Sequence, residues 1–138
     1  MQDKDPDSAT PRMVMVIDDD AEMRAVLRDL LQREGFRVQE EAGAEQVIRV
    51  LESVRPDAVV LDKEMPGGDG LDLLAYIRRR HPSIPVVFIT AFGGPAVQAE
   101  ALRLGATRYV EKPFRVAQLL DTLRALTDTG AAVGTPET

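Results

Sequence analysis

The chain of 138 residues has no cysteine, which excludes a disulfide framework and any thiolate-based zinc or redox centre. No run approaches eighteen consecutive apolar residues, and the opening Met1-Gln2-Asp3-Lys4-Asp5 has no apolar stretch of the signal-peptide kind. The expected location is therefore cytoplasmic, with no membrane partner. Basic charge is also short. Seventeen Lys and Arg face 23 Asp and Glu for a net charge of −6. The first and last twelve residues carry −1 and −2 of it, leaving −3 over residues 13–126. The only basic cluster, Arg78-Arg79-Arg80, reads as a solvated helix end that complements the helix dipole. Direct nucleic-acid binding is not expected. The single histidine, His81, stands before Pro82 and reads as a helix-end cap complementing the dipole rather than as a phosphocarrier.

What remains is an ordinary globular balance, 44% hydrophobic and 29% charged, over a length that makes one domain. Residues 1–12 are polar with two prolines, and residues 127–138 are rich in small residues; both read as tails or linkers. Between them, short apolar runs alternate with helical patterns. The runs are Met13–Ile17, Phe36–Glu40, Ala58–Leu61, Val86–Ile89 and Arg108–Val110, each too short for a helix. Met23, Val26, Leu27, Leu30 and Leu31 lie on one face of a first helix, with Gly35 placed for a left-handed stop. Val47, Ile48 and Leu51 mark a second helix, and Leu71, Leu74 and Ile77 a third stopped before Pro82. Pro95 opens a fourth that Gly105 ends, and Leu119, Leu120, Leu123 and Leu126 mark the fifth. Strand–helix alternation repeated five times predicts a doubly wound α/β domain with a parallel five-stranded sheet and helices on both faces. The fifth run, Arg-Tyr-Val-Glu, is polar enough for an edge.

In such a sheet, chemistry gathers at the carboxyl ends of the strands. The first strand runs into Asp18-Asp19-Asp20, the third ends at Asp62, the fourth at Thr90-Ala91 and the fifth at Lys112-Pro113. Carboxylates leaving buried strands side by side repel unless a cation lies among them. With neither cysteine nor a histidine pair, an oxygen-rich cluster of Asp18, Asp19 and Asp62 suits a hard cation, most simply Mg²⁺. For Asp20, capping the following helix is sufficient explanation. The chain uses fourteen arginines but only three lysines, Lys4, Lys63 and Lys112. Lys112 at a strand end therefore suggests a need for a compact point charge. Acid, acid, hydroxyl and ammonium on one rim describe a phosphoryl-transfer site, with a carboxylate as nucleophile. No Gly-rich Walker-type loop points to a nucleotide donor. Gly67-Gly68 and Gly93-Gly94 read as loops around the rim.

These residues resemble the receiver domain of bacterial two-component response regulators, the CheY-like family. The motifs are Val-Ile-Asp-Asp after the first strand, Asp62-Lys-Glu-Met65-Pro66-Gly-Gly-Asp-Gly70 after the third and Phe-Ile-Thr90-Ala91 at the fourth. Gly105-Ala-Thr-Arg-Tyr109-Val-Glu-Lys112-Pro113-Phe114 spans the fifth, and the likeness covers residues 13–126. It implies the strand order 2-1-3-4-5 and a set of roles. Asp62 would be the phosphoacceptor. Mg²⁺ would be held by Asp18, Asp19, Asp62 and the backbone carbonyl of Glu64. Lys112 would pair with Asp62 and then with the phosphoryl group. Thr90 and Tyr109 would form the switch, and the Lys112–Pro113 bond would be cis. Side chains at Glu64 and Phe92 would tune phosphate lifetime.

The resemblance further implies a sensor histidine kinase or phosphotransfer protein as donor, and no enzymatic activity beyond the domain's own phosphorylation and dephosphorylation. Only twelve residues follow Leu126. Two expectations follow: a stand-alone receiver acting on a downstream protein partner, or a receiver whose output domain belongs to a longer regulator. A rival from another class is a haloacid-dehalogenase-like phosphatase with Asp18 as nucleophile and Asp20 as acid/base. Glu22, where that family has a small hydroxyl or Val, and the lack of an acidic pair after the fourth strand argue against it. A flavodoxin-like FMN site would set its phosphate against three carboxylates.

Overall fold

The computed structural model describes residues 11–65 and 68–128. Pro66 and Gly67 of the third-strand motif, and most of both expected tails, lie outside those residues. Five strands alternate with five helices: β1 Met13–Ile17, α1 Ala21–Arg33, β2 Arg37–Glu41, α2 Ala44–Val50, β3 Ala58–Asp62, α3 Gly70–Arg80, β4 Val86–Thr90, α4 Pro95–Arg103, β5 Arg108–Glu111 and α5 Val116–Thr127. A two-residue antiparallel ribbon, Glu64–Met65 against Gly68–Asp69, follows β3. All five main strands are parallel in the order β2-β1-β3-β4-β5. Fold class and strand order are those expected.

Period-two alternation divides the sheet's side chains between two cores. Met15, Ile17, Val59, Leu61, Val86 and Phe88 face α2, α3 and α4. Val14, Val16, Ala58, Val60, Val87 and Ile89 face α1 and α5. The three inner strands are buried on both faces and hence apolar up to the last residues of β3 and β4, Asp62 and Thr90, whereas β2 and β5 are half-exposed edges. Gly35 and Gly105 take the left-handed conformation that ends α1 and α4, with φ of 96° and 113°, and Pro95 opens α4.

Local expectations shift in four places. Val26 is half-exposed, because the buried stripe of α1 narrows to Leu27 and Leu31. Helix α5 runs to Thr127, one residue past the expected boundary at 126; its hydroxyl donates to the Leu123 carbonyl at 2.7 Å and the residue is buried. Arg78 is not a solvated charge. Its guanidinium donates to the Gly105 carbonyl at 2.7 and 3.0 Å and to the Pro82 carbonyl at 2.7 Å, stapling the end of α3 to the end of α4. His81 is the C-cap of α3, yet it caps through its backbone N–H to the Ile77 carbonyl. Burial, with Arg55 and Arg80 nearby, lowers the imidazole pKa, so the dipole is complemented by Arg78, Arg79 and Arg80 instead.

Candidate functional site

Strand register brings the acidic residues together. Ile17 pairs with Leu61, so Asp18, the residue just past β1, and Asp62, the last residue of β3, stand side by side. Both are 4% exposed, while Asp19 is exposed. One carboxylate oxygen from each of Asp18, Asp19 and Asp62 lies within 4.8 Å of the others. Asp18 is held by the Asp20 N–H, which donates to its Oδ1 at 2.9 Å, and by Arg24, which donates to its backbone carbonyl at 2.6 Å. Asp20 stands apart from this cluster. Its Oδ1 accepts the N–H groups of Glu22 and Met23 and caps α1, which is the simpler of the roles the sequence allowed.

Asp62 is the most perturbed acid. The Glu64 N–H donates to its Oδ1 at 3.1 Å, and the Lys112 ammonium to its Oδ2 at 3.1 Å. Burial nevertheless dominates and, with the Asp18 charge, pushes its pKa up to about 7 against the two hydrogen bonds. For Lys112, burial pulls downward, but the hydrogen bond to Asp62 and the charges of Asp62, Asp18 and Glu64 outweigh it and raise the pKa. The ammonium is thus fully charged near neutrality. Lys112 directly follows β5; its N–H donates to the Thr90 carbonyl at 2.9 Å, and the Lys112–Pro113 bond is cis. Three carboxylates around one ammonium leave excess negative charge, and every donor atom offered is an oxygen. That donor set fits a hard divalent cation.

Thr90 ends β4 with its side chain wholly buried. The hydroxyl donates to Glu64 Oε2 at 2.5 Å and accepts the Phe92 N–H at 3.0 Å. The other carboxylate oxygen of Glu64 accepts the exposed Ala91 N–H at 3.0 Å. Burial pushes the Glu64 acid upward, but the donors Ala91 and Thr90, with the Lys63 charge, prevail and hold it below the ordinary carboxylate range. Phe92 is 73% exposed.

Tyr109 lies on β5, half-buried against the core on the α2–α4 side of the sheet. Its hydroxyl donates to Glu111 Oε2 at 2.8 Å, and the same oxygen accepts the Gly94 N–H at 2.9 Å. Burial, then this hydrogen bond, raise the phenol pKa. Gly93 belongs here for want of space, since a Cβ on it would strike the Tyr109 hydroxyl and the Glu111 carboxylate.

The structure thus brings Asp18, Asp19, Asp62, Lys112, Thr90 and Glu64 to one rim, with Tyr109 beside it. The sequence reading missed Arg24, Glu111, the Ala91 N–H and the use of the Glu64 carboxylate. Glu111 carried a usable signal: residues i and i+2 of a strand share a face, so Tyr109 and Glu111 were bound to be neighbours. Arg24 carried none, for its contact is with a backbone carbonyl.

Comparison with known proteins gives one answer. A family model described as the response regulator receiver domain matches residues 14–124. The transcriptional regulatory protein PdtaR of Mycobacterium tuberculosis is 33% identical over 120 residues, covering 86% of this chain and 58% of that protein. The response regulator MprA of Mycolicibacterium vanbaalenii is 35% identical over 116 residues, covering 84% and 50%. The chain thus spans about half the length of these relatives. Among solved structures, the receiver domain of NtrX from Brucella abortus superposes with a TM-score of 0.78 at 30% identity, covering 84% of this chain and 98% of that one. A CheY-like receiver domain protein from Methanospirillum hungatei reaches a TM-score of 0.84 at 22% identity over 91% of this chain and 100% of that one, a likeness of fold.

Proposed function

The chain belongs to the response regulator receiver domain family, and from that premise we propose that Asp62 accepts a phosphoryl group from a partner phosphohistidine in a Mg²⁺-dependent reaction. The observation that carries this reading is the convergence of a buried carboxylate, a charged ammonium and a buried hydroxyl at three strand ends beside further carboxylates. An Asp62 oxygen forms the new O–P bond as the donor's P–N bond breaks. The freed imidazole nitrogen keeps that electron pair and takes up a proton. Lys112 holds Asp62 in place and then balances the charge on the phosphoryl oxygens. The Thr90 hydroxyl and Ala91 N–H donate to one of those oxygens.

Asp18, Asp19, Asp62 and the Glu64 carbonyl would hold Mg²⁺. Bound there, the ion supplies charge neutralisation to the carboxylates and the incoming phosphate. Adding about −1.5 to −2 charge to this rim biases a surface through Thr90 and Tyr109. The residues 13–126 form the receiver, acting in the cytoplasm with a sensor histidine kinase or phosphotransfer protein upstream. A protein partner or an output domain lies downstream. The domain catalyses only its own phosphorylation and dephosphorylation. Among the described residues no helix is long and apolar enough to cross a membrane.

Intact-mass measurement after incubation with acetyl phosphate, with and without Mg²⁺, tests this. The expected result is one Mg²⁺-dependent phosphoryl adduct, absent from Asp62→Asn. Labelling that survives in Asp62→Asn but vanishes in Asp18→Asn would instead make Asp18 the nucleophile.

A further inference from the structure

The Glu64 carboxylate sits where a phosphoryl group on Asp62 would find its hydrogen-bond donors. Its two oxygens take one bond each, from the Thr90 hydroxyl at 2.5 Å and the Ala91 N–H at 3.0 Å. The hydroxyl has a single proton, and the Phe92 N–H donates to its oxygen at 3.0 Å. The proton is thereby directed at Glu64. The Ala91 N–H also has one proton to give. Neither donor can serve the carboxylate and a phosphoryl oxygen together in full-strength bonds. Glu64 reaches this position from the start of the ribbon after β3, and its own N–H donates to Asp62 Oδ1 at 3.1 Å. The Lys63 ammonium, 4.0 Å away, adds a cation beside the carboxylate. The side chain retains 28% exposure, so it has an exit to solvent.

We propose that the Glu64 carboxylate is a built-in stand-in for the phosphoryl group, occupying its donors in the resting protein and expelled when Asp62 is modified. This goes beyond a general influence of that position on phosphate lifetime: it makes one carboxylate and the phosphoryl group mutually exclusive ligands of the same two donors. It rests on the phosphoacceptor reading above. An anion already in place keeps Thr90 and Ala91 organised, yet it repels an incoming anion and must yield both bonds. Removing it opens the subsite at once. Charge-assisted hydrogen bonds of this kind correspond to roughly ten-fold in affinity for a competing anion.

The test uses the full chain with beryllofluoride in Mg²⁺ buffer, for wild type, Glu64→Ala and Glu64→Gln. Binding is followed by amide NMR, and labelling of Asp62 by acetyl phosphate is read by intact mass. The expected result is beryllofluoride affinity about ten-fold tighter in Glu64→Ala, with Glu64→Gln between it and wild type because it keeps an acceptor but loses the charge. In the unliganded protein, the Ala91 amide proton should move upfield in Glu64→Ala, a change that no general loosening of the loop would confine to Ala91 and its neighbours. Equal affinity in wild type and Glu64→Ala, or an unmoved Ala91 amide, would overturn the stand-in alone. No binding by any variant, with Asp62 unlabelled throughout, would overturn the phosphoacceptor reading and the stand-in with it.

Discussion

Lys112 Nζ donates to Asp62 Oδ2 across 3.1 Å although Asp62 ends β3, Lys112 follows β5, and β4 lies between those strands. The contact therefore reports the relative position of β3 and β5, and any group inserted at Asp62 must renegotiate it. Lys112→Ala should leave divalent-cation affinity within about three-fold, because the carboxylate ligands are untouched. Phosphoryl labelling should slow by about 100-fold, the usual cost of deleting one donor to developing charge. Thr90 and Tyr109 amide shifts on beryllofluoride binding should shrink in the same variant. Unchanged shifts would remove Lys112 from the coupling.

Asp62 should make the metal-free protein less stable as pH rises. Its folded pKa, about 7, lies above the ordinary value of 3.8. Between those limits the folded state holds a proton that the unfolded state has released, so the folded state's advantage is complete below about pH 4 and gone above about pH 7. Asp62→Asn removes the titration. Without divalent cation at pH 8, that variant should be more stable than wild type by about 2–4 kcal/mol, the upper end corresponding to the full shift of about three pKa units and the lower to its screening by solvent. The gap should close at pH 4 and narrow with added Mg²⁺. Urea midpoints measured at both pH values check the sign directly.

Glu111 should control the ionisation of Tyr109. The phenol is raised by burial and by the carboxylate that accepts its proton. Tyr76 and Tyr109 are the only tyrosines, so absorbance titration in a Tyr76→Phe background isolates Tyr109. Glu111→Ala should bring its midpoint down toward the ordinary phenol value, because the accepting carboxylate and its charge are both lost while burial remains. The same substitution frees the Gly94 N–H that opens α4. An unmoved midpoint would show that burial alone sets it.

The fold was legible because its signals are redundant. Apolar runs such as Ala58–Leu61 and Val86–Ile89 can only be strands buried on both faces, and Gly35, Pro95 and Gly105 mark helix ends by backbone geometry alone. The rim was legible too, since Asp18, Asp62 and Thr90 are each the first polar residue after an apolar run, and Lys112 stands where the fifth strand ends. What stayed hidden depends on tertiary contact. Arg78 looked like solvent-exposed charge because nothing in Arg-Arg-Arg distinguishes the residue that turns toward Gly105. The Glu64 carboxylate could not be aimed at Thr90 from sequence, since 26 residues and an entire helix separate them.

Gly70 and Gly93 should divide stability from switching. A Cβ on Gly70 would stand 2.5 Å from Lys63 Cα and 2.8 Å from the Asp62 carbonyl oxygen, both backbone atoms at the end of β3. Neither can move without shifting the acceptor itself. Gly70→Ala should therefore lose about 1–3 kcal/mol, the usual range for overpacking a buried site, and should slow Asp62 labelling as its spacing from Lys112 changes. On Gly93 the added methyl meets only the ends of Tyr109 and Glu111, which can swing aside. Gly93→Ala should stay within about 0.5 kcal/mol of wild type, as for an ordinary surface change, while the Tyr109 titration moves as in Glu111→Ala. Urea midpoints and tyrosine titrations on both variants make the comparison. Equal destabilisation in the two would mean that the rim behaves as one rigid unit rather than as a fixed acceptor beside a movable tyrosine.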